Sequence, residues 1–279
     1  GSEMCIRDRS GFIGTETLTS TNSSTFNNKN VGAGKTVTVN SITLADGTNG
    51  GLASNYSISA GQTTTADITA KSLSVSGITA SNKTYDGSTN ATLDASSVTY
   101  AGLVGGDTFN GSYTGAFSDK NVGSGKSVTI TSSYTGADVS NYSVTDQSST
   151  TADIAAKALT ATASASNKTY DGATTAATTL TFTGLVGSET LGQTVGSTFD
   201  NKNVGSNKTV TVNSITLADG TNGGLASNYS VSAGQATTAD ITAKSLSVSG
   251  ITASNKTYDG STNATLDASS VTYLSLIHI

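Results

Sequence analysis

Ser81–Gly87 reads Ser-Asn-Lys-Thr-Tyr-Asp-Gly, and the same seven residues recur at Ser166–Gly172 and Ser254–Gly260. Working outward, three further landmarks recur in fixed order. Phe-x-x-Lys-Asn-Val-Gly starts at Phe26, Phe117 and Phe199. Ser-Asn-Tyr-Ser starts at Ser54, Ser140 and Ser227, and Thr-Ala-Asp-Ile ends at Ile68, Ile154 and Ile241. One module is copied along the chain, and that periodicity governs every local reading.

The lysines after the Thr-Ala-Asp-Ile blocks are Lys71, Lys157 and Lys244, at steps of 86 and 87 residues. A solenoid turn typically takes about 20–50 residues, whereas a small sandwich domain takes roughly 100. The reading is therefore two complete modules, 71–156 and 157–243, flanked by partial modules at 11–70 and 244–273. Asn40–Tyr100 is repeated at Asn213–Tyr273 with only Ile58 against Val231 and Thr63 against Ala236 changed. The middle copy diverges, with Ser132–Ser140 (SSYTGADVS) replacing the Leu44–Gly51 stretch. The larger unit is thus a pair of modules, and the expectation is a slice of a long tandem array.

Val, Ile and Thr alternate with small polar residues in Lys126–Thr131 (KSVTIT) and Lys208–Asn213 (KTVTVN). This is the period-two pattern of half-buried strands. Disorder pairs low hydrophobicity with high charge, but only 12% of the residues are charged. The expected class is all-β: a tandem array of small Ig-like β-sandwich modules, beads on a string, each of about seven short strands. The alternative is a β-grasp-like module with a short helical turn near Gly102–Asp107 or Gly184–Glu189.

The two ends stand apart from the repeats. Met4, Cys5, Arg7, Arg9 and His278 belong to residue types found nowhere within the modules. Met4–Arg9 (MCIRDR) and Leu274–Ile279 (LSLIHI) can be written as opposite strands of one DNA segment, and they resemble a translated sequencing adapter. Residues 1–10 and 274–279 are accordingly read as non-native scars and kept out of the fold. This removes the lone Cys and lone His as candidates for a nucleophile or a metal ligand.

Residues 11–273 carry 12 lysines, no arginine and 17 acidic residues, a net charge of −5. Nucleic-acid binding calls for clustered Lys and Arg on one face, so no nucleic-acid partner is expected. No run approaches the roughly 18 apolar residues of a membrane helix, so no membrane span is expected in this fragment. The repeats hold no cysteine, which leaves no disulfides to staple them. Each module must rest on its own small core and on its neighbours.

That core is expected to use Tyr85, Tyr170 and Tyr258 beside their Asp-Gly turns, Phe117 and Phe199 with Val122 and Val204, Tyr142 and Tyr229 at the start of the Asn-Tyr-Ser strand, and Leu103 and Leu185. The competing reading of the tyrosines is sugar stacking. The joint between modules is also legible. In Thr65–Gly77 the apolar positions Ala66, Ile68 and Ala70 give way to Leu73 and Val75 with a change of parity. One strand face cannot stay buried through such a change, so one strand ends and the next begins there. No mixed Gly/Ser linker separates the modules, which predicts a stiff joint.

Lys83–Gly87 (KTYDG), Asp119–Gly123 (DKNVG), Asn141–Ser143 (NYS) and Thr151–Ile154 (TADI), with their copies, resemble the YDG-type repeat domains of bacterial filamentous haemagglutinin-like surface adhesins. The resemblance covers nearly all of residues 11–273. It implies an extracellular, repeat-built region of a large bacterial adhesin at the cell surface or associated with the outer membrane. It assigns no ligand to the repeat. Related modules often carry Pro after the last Ile-Thr; here Ala70, Ala156 and Ala243 stand there, without the fixed backbone that Pro imposes.

No catalytic, cofactor-binding or metal site is assigned. General acid–base chemistry commonly uses His or paired carboxylates, and the repeats hold no His. Their only glutamates are Glu16 and Glu189, replaced by Asp107 in the middle copy, while Asp86 and Asp171 sit in turns. Asp46–Gly50 and Asp219–Gly223 offer oxygens for Ca²⁺ but lack EF-hand spacing, and read as turns. Lys83 or Lys120 could supply the amine of an isopeptide cross-link; the plainer reading is a solvated strand-edge lysine. Asn55-Tyr56-Ser57 and Asn82-Lys83-Thr84 match a glycan-acceptor sequon, which this composition generates readily. The expected function is a non-catalytic stalk or spacer whose partners are neighbouring repeats of the same chain. The alternative is a multivalent array binding host glycans or matrix weakly, with avidity from copy number. An accessory region of a secreted hydrolase is the third reading.

Overall fold

The computed structural model describes residues 11–275, with side chains through Tyr273. Of the segments read as non-native, residues 1–10 and 276–279 lie outside the described residues. The backbone of Leu274 and Ser275 pairs with Ser247 and Leu246, continuing the strand Thr272–Ser275.

The protein is an all-β tandem array of small sheets. Its only helical elements among the described residues are three single 3₁₀ turns at Ala53–Asn55, Val139–Asn141 and Ala226–Asn228, each placed just before the tyrosine of an Asn-Tyr-Ser. The segments Gly102–Asp107 and Gly184–Glu189, where a helical turn was the alternative expectation, form hydrogen-bonded turns instead. Asp107 N–H donates to Val104 O and Glu189 N–H to Val186 O, both at 3.1 Å. Gly106 and Gly187 take φ of 89° and 56° there, left-handed values that a continuing helix does not tolerate.

Module 157–243 shows the plan. Thr160–Ala165 and Thr178–Thr183 form an antiparallel pair. A four-stranded sheet follows in the order Lys168–Thr169, Ala236–Thr242, Gly205–Asp219, Leu191–Phe199. Its long strands run antiparallel, but Lys168 and Thr169 lie parallel to Ile241 and Thr242. The alternation read from the sequence decides what is inside. Val210 and Val212 are fully buried while Thr209 and Thr211 between and beside them face water. Phe199, Val210, Ala239 and Ile241 form the core, with Ala165, Tyr170 and Ala176 against it.

The described residues fall into two compact units. One holds residues 11–80, 91–116 and 128–150; the other holds 81–90, 117–127 and 151–275. In the first, Leu18–Phe26, Gly32–Asp46 and Thr63–Ile68 make a three-stranded antiparallel sheet. Its other centre is an aromatic cluster in which the Phe109 ring lies 4.9 Å from Tyr134 and 5.2 Å from Tyr100. Leu73, Val75, Ile78, Ile130 and Tyr142 complete that core. Sequence reasoning passed over Phe109, Tyr113 and Tyr134 because these aromatics occur in the middle copy alone. In the second unit, the Tyr-Asp-Gly turn and the Lys-Asn-Val-Gly loop of module 71–156 belong together with all of 157–243.

Ile241 is fully buried, whereas its counterpart Ile68 is half-buried. Truncating Ile241 to Ala is expected to cost about 2–5 kcal/mol, and Ile68→Ala clearly less, as read from denaturant unfolding of the full chain. Equal losses would contradict the packing described.

Candidate functional site

The landmark residues of the repeat converge at the joint between consecutive modules. In the second unit, Glu189 of module 157–243 is buried just before the strand Leu191–Phe199. Its carboxylate accepts from Tyr85 Oη at 2.7 Å, Tyr229 Oη at 2.6 Å and Lys120 Nζ at 3.1 Å. Tyr85 and Lys120 come from module 71–156; Glu189 and Tyr229 come from the next one. The two tyrosine rings meet edge to face at 5.4 Å, and Lys120 Nζ lies 5.9 Å from the Tyr85 ring centre. Beside them Asn228, with no solvent exposure, accepts from Val122 N–H at 2.9 Å and donates to Asn121 Oδ1 at 3.0 Å. The Lys-Asn-Val-Gly loop of one module is thereby read by the Asn-Tyr-Ser of the next.

Local structure presents each of these groups. Lys83 Nζ donates to Asp86, to Ser88 O and to Asn90 O, and lies 5.4 Å from the Phe117 ring centre. It is largely buried rather than a solvated edge lysine. The reason is that the tight Tyr-Asp-Gly turn leaves backbone carbonyls that need a donor. Lys168 and Lys256 repeat the arrangement. Gly87, at φ 80°, ends the turn where a Cβ would come within 2.7 Å of Val186, so only glycine lets the following module approach this closely.

The loop considered for Ca²⁺ holds Glu189 in place. Gly220 packs so tightly that a Cβ would lie 2.1 Å from Thr190 O. Thr221 N–H donates to Thr190 Oγ1 at 2.7 Å, Asn222 Nδ2 donates to Ser188 O at 3.0 Å, and Asp219 Oδ1 accepts from Ala226 N–H at 2.8 Å. One carboxylate oxygen of Asp219 is thus engaged by the protein's own backbone. Among the described residues, no three or more His, Cys, Asp or Glu side chains gather as a metal-ligand set.

The joint inside the first unit does the same work with different side chains. Asp107, shorter than glutamate, accepts from Tyr142 Oη at 2.7 Å and from Lys29 Nζ at 2.7 Å. Asp138, from the divergent Ser132–Ser140 segment, supplies a second carboxylate to Lys29 at 2.8 Å and accepts from Thr108 N–H at 2.9 Å. Val31 N–H donates to Asn141 Oδ1 at 2.9 Å, as Val122 does to Asn228.

Electrostatics follow the hydrogen bonds. Burial works against the Glu189 carboxylate, but the donors Tyr229, Tyr85 and Lys120 outweigh it and hold its pKa below the ordinary range. Burial, and then the bond to Glu189, pushes Tyr229 up to about 12. Lys29 is held strongly protonated by its bonds to Asp107 and Asp138.

The sequence-named tyrosines therefore diverge in fate. Tyr85 is buried in a joint, Tyr170 is half-buried and Tyr258 is exposed. Phe117, Phe199, Tyr142 and Tyr229 are core, Leu103 and Leu185 are half-buried, Val122 is half-buried in the joint and Val204 is exposed. Glu189 and Asn228 were not singled out for the joint by sequence reasoning. The signal was present in the retained acid of Gly-x-Glu/Asp-Thr and in the Asn of every Asn-Tyr-Ser.

Fold and joint define a class: β modules repeated in tandem, each locked to the next by its most regularly recurring residues. The YDG domain family matches residues 7–66, 69–152 and 155–239. The chain belongs to that family, as three consecutive YDG domains. No curated protein and no solved structure matches it.

Tyr85→Phe removes one donor from a buried carboxylate and is expected to cost about 1–3 kcal/mol, lost from the second unit when followed by hydrogen exchange. The pH dependence has a definite sign. Because the folded pKa of Glu189 is depressed, its contribution is complete above the ordinary glutamate value of 4.5 and disappears as pH falls through the folded value. Stability measured against pH should show this acid-side loss in the native chain, and a reduced one in Glu189→Gln. Parallel curves for the two proteins would refute the assignment.

Proposed function

We propose that this chain is a non-catalytic stalk or spacer region of a large bacterial surface or secreted adhesin, working outside the cell. The observation that carries the reading is how the recurring residues are used. Tyr85, Lys120, Val122, Glu189, Asn228 and Tyr229 all couple one module to the next. Little separates the modules besides: the strand Ser149–Ala155 is followed after one residue by Lys157–Ala158. Lys157 and Ala158 then run parallel to Tyr229 and Ser230, and Leu159 N–H donates to Ser230 O at 2.8 Å. A joint made of a one-residue connection and buried polar contacts transmits length, as a spacer must, and repeat stability then adds module by module with neighbour terms. Membership of the YDG family supports a repeat region in the same sense.

The test is reach against binding. With a reporter domain fused to one end and the other end tethered, deleting residues 71–243 is expected to bring the reporter closer to the surface by two module lengths. Glycan arrays and immobilised matrix proteins are expected to retain no chain above background. Saturable glycan binding that strengthens with module number would replace the stalk reading with a multivalent binding array.

A further inference from the structure

We propose that each complete module carries a mechanical clamp: a short pair of parallel strands that tension along the chain loads in shear. The setting, a chain under tension, rests on the stalk reading. The clamp itself rests on strand direction and hydrogen bonds.

Two of the recurring landmarks supply the clamp. In module 157–243, Lys168 and Thr169 of the Lys-Thr-Tyr-Asp-Gly stretch pair in parallel with Ile241 and Thr242, which close the Thr-Ala-Asp-Ile-Thr stretch. At one end of the pair Asp240 N–H donates to Asn167 Oδ1 at 2.7 Å. At the other Tyr170 N–H donates to Thr242 O at 2.9 Å. Between them the Thr242 hydroxyl donates to Lys168 O at 3.3 Å. Module 71–156 repeats the arrangement. Lys83 and Thr84 lie parallel to Ile154 and Ala155, Asp153 N–H donates to Asn82 Oδ1 at 2.8 Å, and Tyr85 N–H donates to Ala155 O at 2.9 Å.

Strand direction decides how a pull is shared. Lys168–Thr169 is the first strand of its four-stranded sheet in chain order, and Ala236–Thr242 is the last. Were the two antiparallel, as the other neighbours in that sheet are, the chain would enter and leave side by side, and a pull would open their bonds one at a time. Parallel strands put entry and exit at opposite ends of the pair, so the same pull loads every bond together. One hydrogen bond contributes only about 1 kcal/mol net; several that must fail at once make a far longer-lived barrier. Two features keep the strands from slipping. Lys168 Nζ ties the turn behind the first strand to Asp171 Oδ1 and Ala173 O at 2.8 Å and to Thr175 O at 3.0 Å. The last strand is bonded on its other edge to Gly205–Asp219, and Ile241 beneath it is fully buried, which keeps out the water that would replace a broken bond. Residues 168–242 are sheltered behind the clamp, and their release would lengthen the chain by about 25 nm.

The experiment pulls the full chain, carrying Cys5→Ser, in two directions through handles on paired cysteines at exposed positions. Ser166→Cys with Ala243→Cys grips opposite ends of the parallel pair and shears it. Thr174→Cys with Ala243→Cys grips the same end and peels it. Forced unfolding reads the unfolding rate. At one fixed force the sheared module is expected to survive roughly tenfold longer or more than the peeled one, as loading two or more hydrogen bonds together implies. Asn167→Ala should shorten the sheared lifetime and leave the peeled one little changed. Equal lifetimes in the two directions would overturn the clamp, and so would an Asn167→Ala effect of the same size in both, which marks a general stabilising contact. A chain that sets reach in the tethered-reporter test yet shows no directional difference removes the clamp and spares the stalk reading. Glycan binding together with a directional difference does the reverse.

Discussion

A carboxylate taken out of water is destabilising unless donors replace the water it gives up. Glu189 meets that condition only when two consecutive modules are in place, since Tyr229 comes from its own module and Tyr85 and Lys120 come from the one before. The joint is therefore a shared hydrogen-bond network rather than a hinge. Its specificity arises from the cost of leaving it incomplete: a misplaced neighbour strands a buried charge. The Asn228 contacts add a second condition of the same kind, because that side chain is fully enclosed and its amide is used on both sides.

The two joints show how much freedom the design allows. Replacing Glu by Asp107 shortens the reach of the acid, and the divergent Ser132–Ser140 segment brings in Asp138 beside it. Lys29 then bridges two carboxylates instead of reaching one. The Leu-Ala-Asp-Gly-Thr-Asn-Gly-Gly loop and its replacement thus serve one purpose, fixing the backbone beside the acid at Thr190 or Thr108. What both joints hold constant is an acid that takes a tyrosine hydroxyl from its own module and a lysine from the module before.

Much of this was open to reading from the chain alone. The four landmarks, their order and their spacing gave the module and its copies. The alternation Lys-Thr-Val-Thr-Val-Asn at Lys208–Asn213 gave a strand with its valines inward, and the parity change between Ala70 and Leu73 marked where strands meet. The buried lysines were not legible, because Lys83 serves carbonyls that become unpaired only when its own turn closes. The aromatic cluster around Phe109 was missed for a different reason: a search for recurrence discounts what occurs once. The hydrogen bond from Tyr85 to Glu189 spans 104 positions, a distance at which no local pattern carries information.

The identical thirty residues at 71–100 and 244–273 separate the two contributions. Sequence by itself determined the local forms they share: the short antiparallel pairs, the lysine-held Tyr-Asp-Gly turn, and the face on which leucine, valine and isoleucine lie. It did so because turn chemistry and strand parity depend on near neighbours. Whether Tyr85 or Tyr258 becomes a buried donor or an exposed ring was decided by tertiary structure alone. Burial belongs to a pair of surfaces, and the second surface lies in another part of the fold.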